Sequence, residues 1–263
     1  MPPEMAKIEK RKKARKALKE LSSNEEHVLV LHYSCESFYD IPEGRSARVT
    51  SIAVRSYSSG QTTSFSIHKV AELKHIQFTE IEGNYDDLEK EMLAEFFNFM
   101  AQHKEFRWVH WNMRDINFGF SALEHRYRVL GGEPCVLEES KKYDLARMLV
   151  DLYTNNYASH PRMTKLMEMN RISAKDFLDG KEEAASFENK EFVKLHQSTL
   201  RKVDVFCNVL GRAADRSLKT NTSWWQLNGL TLKVAGEVIA KHWIFTLFVG
   251  ILGVVASVYT FFH

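Results

Sequence analysis

The chain has 263 residues, most of which precede a long apolar segment near its end, so it is long enough for one sizeable domain with a hydrophobic core, alone or with helical appendages. Its formal net charge of +2 excludes a polycation, and any anion-binding surface must therefore come from local clusters of charge. The 3 cysteines are odd in number and widely spaced, which excludes a disulfide framework and a zinc pattern and favours a reducing compartment.

Residues 1–26 form a basic arm. Its cationic side chains are interrupted by Glu9 alone: Lys7, Lys10, Arg11, Lys12, Lys13, Arg15, Lys16 and Lys19. The apolar residues of the arm share one side of a helix: Ala14, Ala17, Leu18 and Leu21. This pattern predicts a basic amphipathic helix that touches anionic lipid or nucleic acid, and a solvated, partly frayed arm is the open alternative. The arm lacks the apolar stretch of a secretory signal.

Residues 27–220 carry the pattern of one α/β domain. Short apolar or alternating runs predict strands at residues 27–34, 48–57, 62–68 and 107–111. Apolar residues at helical spacing predict helices at residues 85–103, 118–130, 144–153, 162–169 and 188–218, the last of them interrupted near Gly211. Strands that come first and then alternate with helices indicate a mixed sheet flanked by helices.

Residues 221–242 combine many apolar residues with few charges. Trp224 and Trp225 stand at their beginning, and tryptophans beside an apolar span are typical of the lipid headgroup region. We predict an interfacial helix that couples the domain to the segment that follows.

Residues 243–262 contain no charged side chain and are long enough to cross a bilayer, so we predict a transmembrane helix. Small or hydroxylated residues recur every three or four positions: Thr246, Gly250, Gly253, Ser257 and Thr260. A stripe of this kind indicates self-association, either as close packing in a dimer or as the lining of a narrow, hydrophobically gated pore in a higher oligomer.

The charges that flank this segment predict its orientation. Lys233 and Lys241 precede it and only His263 follows it. By the tendency of positive charge to stay inside, we expect a single-pass protein whose domain is cytoplasmic.

Three motifs and the order of elements resemble the DEDD 3′–5′ exonuclease domain of the RNase H-like fold. The motifs are Ser34-Cys35-Glu36 after the first strand, WNMRDINF beginning at Trp111, and HQSTLRKVD ending at Asp204. The resemblance covers residues 28–215. In this family, carboxylates at the motif positions hold two divalent ions that clamp the attacking and leaving oxygens.

The match departs from the family at several positions. Ser34 occupies the place of the first acid, whereas Glu36 keeps the second. Asn117 occupies the place of the next acid, so that carboxylate is lost, unless its place is taken by Asp115 at a shifted position. Asp204 matches the last acid. A site with missing ligands binds Mg²⁺ poorly, so the resemblance implies a vestigial site without catalysis, without a cofactor, and with a retained groove.

The retained groove is expected to bind single-stranded nucleic acid through phosphate contacts and base stacking. The candidate binding residues lie around the motifs: Glu36, Trp111, Asn112, Arg114, His196, Arg201 and Lys202. Each of them also has an ordinary structural interpretation as a core or helix-surface residue.

The whole layout is similar to transmembrane effectors of bacterial anti-phage defence, of which the Hailong type is the nearest. This resemblance implies a homo-oligomeric ion channel, such as a tetramer, in the bacterial inner membrane. A single-stranded DNA oligomer would hold it shut or open it, a nucleotidyltransferase-like partner would make that ligand, and opening would depolarise the membrane.

Two other classes of function stay open at this point. The chain could be an active, membrane-tethered exonuclease that uses Mg²⁺ with an altered ligand set of Glu36, Asp115, Asp144 and Asp204. It could also be a passive anchor that recruits a nuclease partner to the membrane.

Overall fold

The computed structural model describes residues 3–36, 46–115, 117–223, 247–254 and 259. The strands are β1 (Val28–Cys35), β2 (Val49–Ser56), β3 (Thr62–Ser66), β4 (Arg107–His110) and β5 (Lys142–Asp144). The helices are α1 (Pro3–Ser22), α2 (Ile67–Leu73), α3 (Tyr85–Gln102), α4 (Phe120–Val129), α5 (Leu145–Tyr153), α6 (Arg162–Met169), α7 (Gly180–Glu188) and α8 (Phe192–Ala214).

The strands form one mixed sheet in the order β3-β2-β1-β4-β5. β1, β2 and β3 pair as an antiparallel meander, whereas β4 and β5 run parallel to β1. In the shared register, Leu31 of β1 is opposite Val54 of β2 and His110 of β4. The predicted α/β class with a mixed sheet is confirmed, and the strand order is compatible with an RNase H-like domain.

Strand β1 lies at the centre of the sheet with both of its faces covered. Leu29 and Leu31 face a core formed with α2, α3 and α4, whereas Val28 and Val30 face a core formed with α1, α5 and α8. Side chains alternate between the two faces of a strand, so a strand covered on both faces reads as a continuous apolar run. That run made β1 predictable.

Helix α8 packs on β1 and β2 and contributes the largest share of the second core. It begins at Phe192 and passes Gly211 without the predicted interruption. A Cβ at Gly211 would stand 3.4 Å from the Tyr57 hydroxyl oxygen, which is an ordinary van der Waals contact, so this contact does not require a glycine.

Helix α1 carries the basic arm, and its apolar side is part of the domain core. Ala14, Leu18 and Leu21 are buried against α5 and α8, while most of the lysines lie exposed on the other sides. The amphipathic helix is therefore present, and its contact with lipid or nucleic acid stays a prediction.

Three short elements were not predicted. Strand β3 ends at Ser66 and α2 begins at once, inside the segment predicted as strand. Strand β5 has three half-buried residues, and α7 buries only Ser186 completely. Elements this short or this exposed leave no apolar period in the sequence.

Most of the predicted C-terminal architecture lies outside the described residues. These include 224–246, which hold most of the predicted interfacial segment and Thr246, and 255–258 and 260–263, which hold Ser257 and Thr260. Within the described part of the chain, no helix combines the length and the apolar character that a membrane crossing requires.

Candidate functional site

The candidate site lies at the carboxyl ends of the parallel strands β1 and β4, where β1 continues to Cys35 beyond its last pair with β4, Leu31 with His110. Ser34 and Glu36 stand at the end of β1, and residues 111–114 follow β4 at the same edge of the sheet. In the strand order, β2 and β3 lie on one side of β1, and β4 and β5 lie on the other, so the order changes direction between β1 and β4. In open α/β sheets, ligands bind at such a position, outside the carboxyl ends of the strands.

A buried ion pair with two hydroxyl groups occupies the end of β1. The Lys202 ammonium is 2.6 Å from Glu183 Oε2. Glu183 Oε1 accepts hydrogen bonds from the Ser34 and Ser198 hydroxyls, each at 3.3 Å. The side chains of Lys202 and Glu183 are only 8% and 14% exposed. We call these four residues the Lys202–Glu183 cluster.

Three different elements bring the cluster together. Ser198 and Lys202 are four residues apart and share one side of α8. Ser34 alternates with Val28 and Val30 on the face of β1 that α8 covers. Helix α7 supplies Glu183, which sequence reasoning missed because an acid in the first turn of an exposed helix is commonplace.

The cluster does not fit a divalent metal ion. A cation already stands at the carboxylate, and a metal ion beside the Lys202 ammonium would meet a like charge within a few ångströms. Among the described residues, no group of three or more His, Cys, Asp or Glu side chains is arranged to hold a metal. All four proposed metal ligands, Glu36, Asp115, Asp144 and Asp204, belong to that described part.

The Glu36 side chain is almost buried and bonds to the start of β2. Its Oε1 accepts a hydrogen bond from the backbone N–H of Arg48 at 2.8 Å. The backbone N–H of Glu36 donates to the Arg48 carbonyl at 2.9 Å. The Thr50 hydroxyl donates to the Ser34 carbonyl at 3.0 Å. The end of β1 is thus fixed to β2 by side chains as well as by the ladder.

His32 is a buried neighbour of the cluster that the sequence did not single out. Its ring lies 6.0 Å from the ring of Phe118 and 5.4 Å from that of Phe206. Neither ring nitrogen has a hydrogen-bond partner among the described residues. Burial, and then the charge of Lys202, hold the pKa of His32 well below its usual range, so the ring is neutral.

Trp111, Asn112 and Arg114 form a second group at the end of β4. The Arg114 guanidinium donates to Asn112 Oδ1 at 2.7 Å and pairs with Asp144, whose carboxylate also accepts from the Asn112 N–H at 3.2 Å. The Trp111 ring stacks on Phe206 at 5.6 Å. Asp144 caps α5 as well, so this edge of the site is built on a helix N-terminus.

Asp115 and Asn117 lie in the exposed loop after β4. Asp115 Oδ1 accepts from the backbone N–H of Asn117 at 2.8 Å, and the Asp115 N–H donates to the Phe118 carbonyl at 3.2 Å. These local bonds make Asp115 a turn residue in this structure.

The other three α8 candidates, Asp204, Arg201 and His196, contact other parts of the domain. Asp204 pairs with Arg201 and lies 3.6 Å from the guanidinium of Arg55 on β2. Arg201 also donates to the Ser173 carbonyl at 2.5 Å. The ring of His196 lies 5.1 Å from that of His68 on α2. Only Lys202, of the four α8 candidates, joins Ser34.

Gly250 and Gly253 belong to the described part of the predicted seam, where residues 247–254 are helical. Among the described residues, no atom lies within 4 Å of the position that a Cβ would take at Gly250. Packing within that part of the chain therefore does not require a glycine at position 250.

Chemically, the two groups offer two cations, hydroxyls, an amide and an indole along one edge of the sheet, without an assembled set of carboxylates. Comparison of the chain with protein-family models, with curated proteins and with solved structures finds no match. The site must therefore be interpreted from its own chemistry.

Proposed function

We propose that the domain is a catalytically degenerate, exonuclease-like member of the RNase H-like fold that binds single-stranded DNA without cleaving it. The observation that carries this proposal is the ion pair of Lys202 and Glu183 at the end of β1. In the exonuclease family, metal-binding carboxylates occupy the end of the first strand. Here the ammonium group of Lys202 neutralises the carboxylate of Glu183 instead.

The chemistry of the sheet edge supports a strand of nucleic acid as the ligand. Arg114 is exposed, Lys202 stands at the end of β1, and both cations could contact phosphates. Trp111 is half-buried on Phe206, and its remaining surface could stack on a base. A phosphate at Lys202 would compete with the carboxylate of Glu183, so binding would be linked to the position of α7.

We further propose that DNA binding gates a homo-oligomeric channel in a bacterial inner membrane, as in anti-phage effectors that depolarise an infected cell. The support comes from the uncharged residues 243–262 with their seam of small residues, directly after the interfacial segment. A ligand gates a channel only by binding one gating state better than the other, and a tenfold preference corresponds to about 1.4 kcal/mol per site.

The first test is a titration of the detergent-solubilised full chain with fluorescent single-stranded DNA oligomers, in Mg²⁺ and in EDTA. Electrophoresis of the recovered DNA follows. We expect binding in both conditions and DNA of unchanged length. Shortening of the DNA in Mg²⁺ alone would instead establish the membrane-tethered exonuclease.

Paired substitutions locate the binding surface. Lys202→Gln with Glu183→Gln removes both charges together and avoids leaving one of them buried and unpaired. Loss of a charge-assisted phosphate contact should weaken DNA binding about tenfold. The matched control is Lys194→Gln with Glu191→Gln, an exposed ion pair at the start of α8. Equal affinities of the two double variants would contradict the proposed groove.

A further inference from the structure

A second concave surface lies at the opposite end of α8 from the Lys202–Glu183 cluster. It is a cavity of about 850 Å³ between α1, the end of α5 and the segment that follows α8. From Lys202 to Ala213, α8 rises by about 16 Å, so this cavity is separate from the sheet edge. Its cationic lining residues come from both ends of the chain's described domain: Arg15, Lys16, Lys19, Arg216 and Lys219.

The described residues that line the cavity include no carboxylate. Glu20 acts electrostatically on Lys16, but its carboxylate is bonded to Arg107. None of the five cations forms an ion pair with another residue in the described ranges. Like charges that converge on one concavity repel each other, and the low-dielectric walls of a cleft concentrate their field. The cavity therefore favours an anion with several negative charges over a neutral or cationic ligand.

Hydrogen bonds hold the segment after α8 in place. The Lys219 N–H donates to Asn170 Oδ1 and the Asn170 amide donates to the Lys219 carbonyl, each at 2.9 Å. The Asn221 N–H donates to the Tyr157 carbonyl at 2.8 Å, and the Thr222 hydroxyl donates to the Tyr153 carbonyl. The backbone of this wall is thus fixed, and the entropic cost of binding is limited to ordering the exposed cationic side chains.

The floor of the cavity is apolar. Leu18, Leu152 and Leu218 line it and are almost completely buried. Hydroxyl groups of Ser22, Tyr153 and Thr220 stand among the lining side chains. Ligand sites combine an apolar surface with a few polar groups that fix orientation, and this cavity has both.

We propose that this cavity binds a ligand with two or more phosphate groups. Five cations exceed what a single phosphate neutralises, and the apolar floor suits a ligand that also has an apolar part. Two sources supply this chemistry: a soluble polyphosphate such as a nucleoside triphosphate, and the headgroup region of a diphosphate lipid. The inference does not depend on DNA binding at the sheet edge.

The test measures binding of inorganic triphosphate to the detergent-solubilised full chain by calorimetry. In a second arm, reconstituted protein is compared in phosphatidylcholine vesicles with and without cardiolipin, by its protection from thermal unfolding. Binding of triphosphate identifies the soluble source, and stabilisation by cardiolipin identifies the lipid source. Either result supports the site, and the absence of both effects overturns it.

Variants assign the binding to this cavity. Lys19→Gln with Lys219→Gln should weaken the observed binding about tenfold or more, because each lost cation removes a charge-assisted contact. Arg216→Gln is an independent second variant. The control, Lys13→Gln with Lys90→Gln, removes two exposed lysines that do not line the cavity. An equal loss in variant and control would overturn the proposal.

The same variants separate this inference from the proposed function. Lys19→Gln with Lys219→Gln should leave DNA binding at the sheet edge unchanged. Lys202→Gln with Glu183→Gln should leave triphosphate binding unchanged. If one of the two ligands fails to bind, only the proposal for its own site is overturned.

Discussion

Glu89 shows how a single buried charge organises the domain. Its carboxylate is 0% exposed, and it pairs with the Arg126 guanidinium at 2.6 Å. It also accepts a hydrogen bond from the Val49 N–H at 2.7 Å, where β2 begins. One carboxylate thus connects α3, α4 and β2.

We predict that Arg126→Met destabilises the protein by about 3–5 kcal/mol, because it leaves Glu89 buried without its counter-charge. The measurement is the free energy of unfolding in urea. Arg128→Met is the control on the same helix. Arg128 is half-exposed and lies 3.8 Å from Glu124, so its loss should cost less than about 1 kcal/mol. Similar losses of unfolding free energy in the two variants would show that burial of Glu89 does not depend on the charge of Arg126.

Acid should destabilise the folded chain through its buried histidines. Burial, then the charges of His68 and Lys69, lower the pKa of His196 from 6.5 to about 4. Burial likewise lowers the pKa of His110 to about 4. A folded-state pKa below the unfolded value means that the unfolded chain binds the proton first. The contribution of these two neutral histidines to stability is therefore present above pH 6.5 and is lost as the pH falls towards 4.

We predict that His196→Asn reduces this acid-dependent loss. The measurement is the free energy of unfolding at a series of pH values between 7 and 4. The variant should lose less stability over that range than the natural chain does. Parallel curves for the two proteins would mean that His196 titrates normally.

At the scale of elements, α7 is attached to the domain by Glu183 and by the partly buried Phe187, whose ring lies 6.2 Å from that of Tyr85. We predict that Glu183→Gln, which loses the ion pair with Lys202, speeds hydrogen exchange of the α7 amides. Glu188→Gln, at the exposed end of α7, is the control. Unchanged exchange in Glu183→Gln would show that α7 is held by other contacts.

The sequence predicted the long elements well, because their apolar spacing is itself the signal. α3 and α6 begin and end close to their predicted bounds, and β1 was predicted by its continuous apolar run. The site was harder to predict. Ser198 and Asp204 share one helix, but which side of α8 meets β1 is decided by packing on the sheet. Glu183 comes from α7, which has no apolar period of its own.

At the scale of the whole molecule, the predicted span should act through contacts between chains. Its small residues, among them Gly250 and Gly253, recur at a spacing that is typical of close packing between helices. We predict that Gly250→Leu with Gly253→Leu abolishes ion conductance of the reconstituted protein and leaves its DNA affinity intact. Ile251→Phe, outside the stripe, should conduct normally. Unchanged conductance in the glycine variant would exclude the seam as the pore or the packing surface.

The ion pair of Lys202 and Glu183 also limits how this chain could change over evolutionary time. Ser34→Asp alone would set a second carboxylate against Glu183 with one ammonium group to share. Lys202→Ala alone would leave Glu183 without its counter-charge. Each first step towards a metal-binding site is therefore costly, and the two changes are useful only together. An arrangement of this kind resists gradual conversion and would persist in descendants even when no selection acts on its original role.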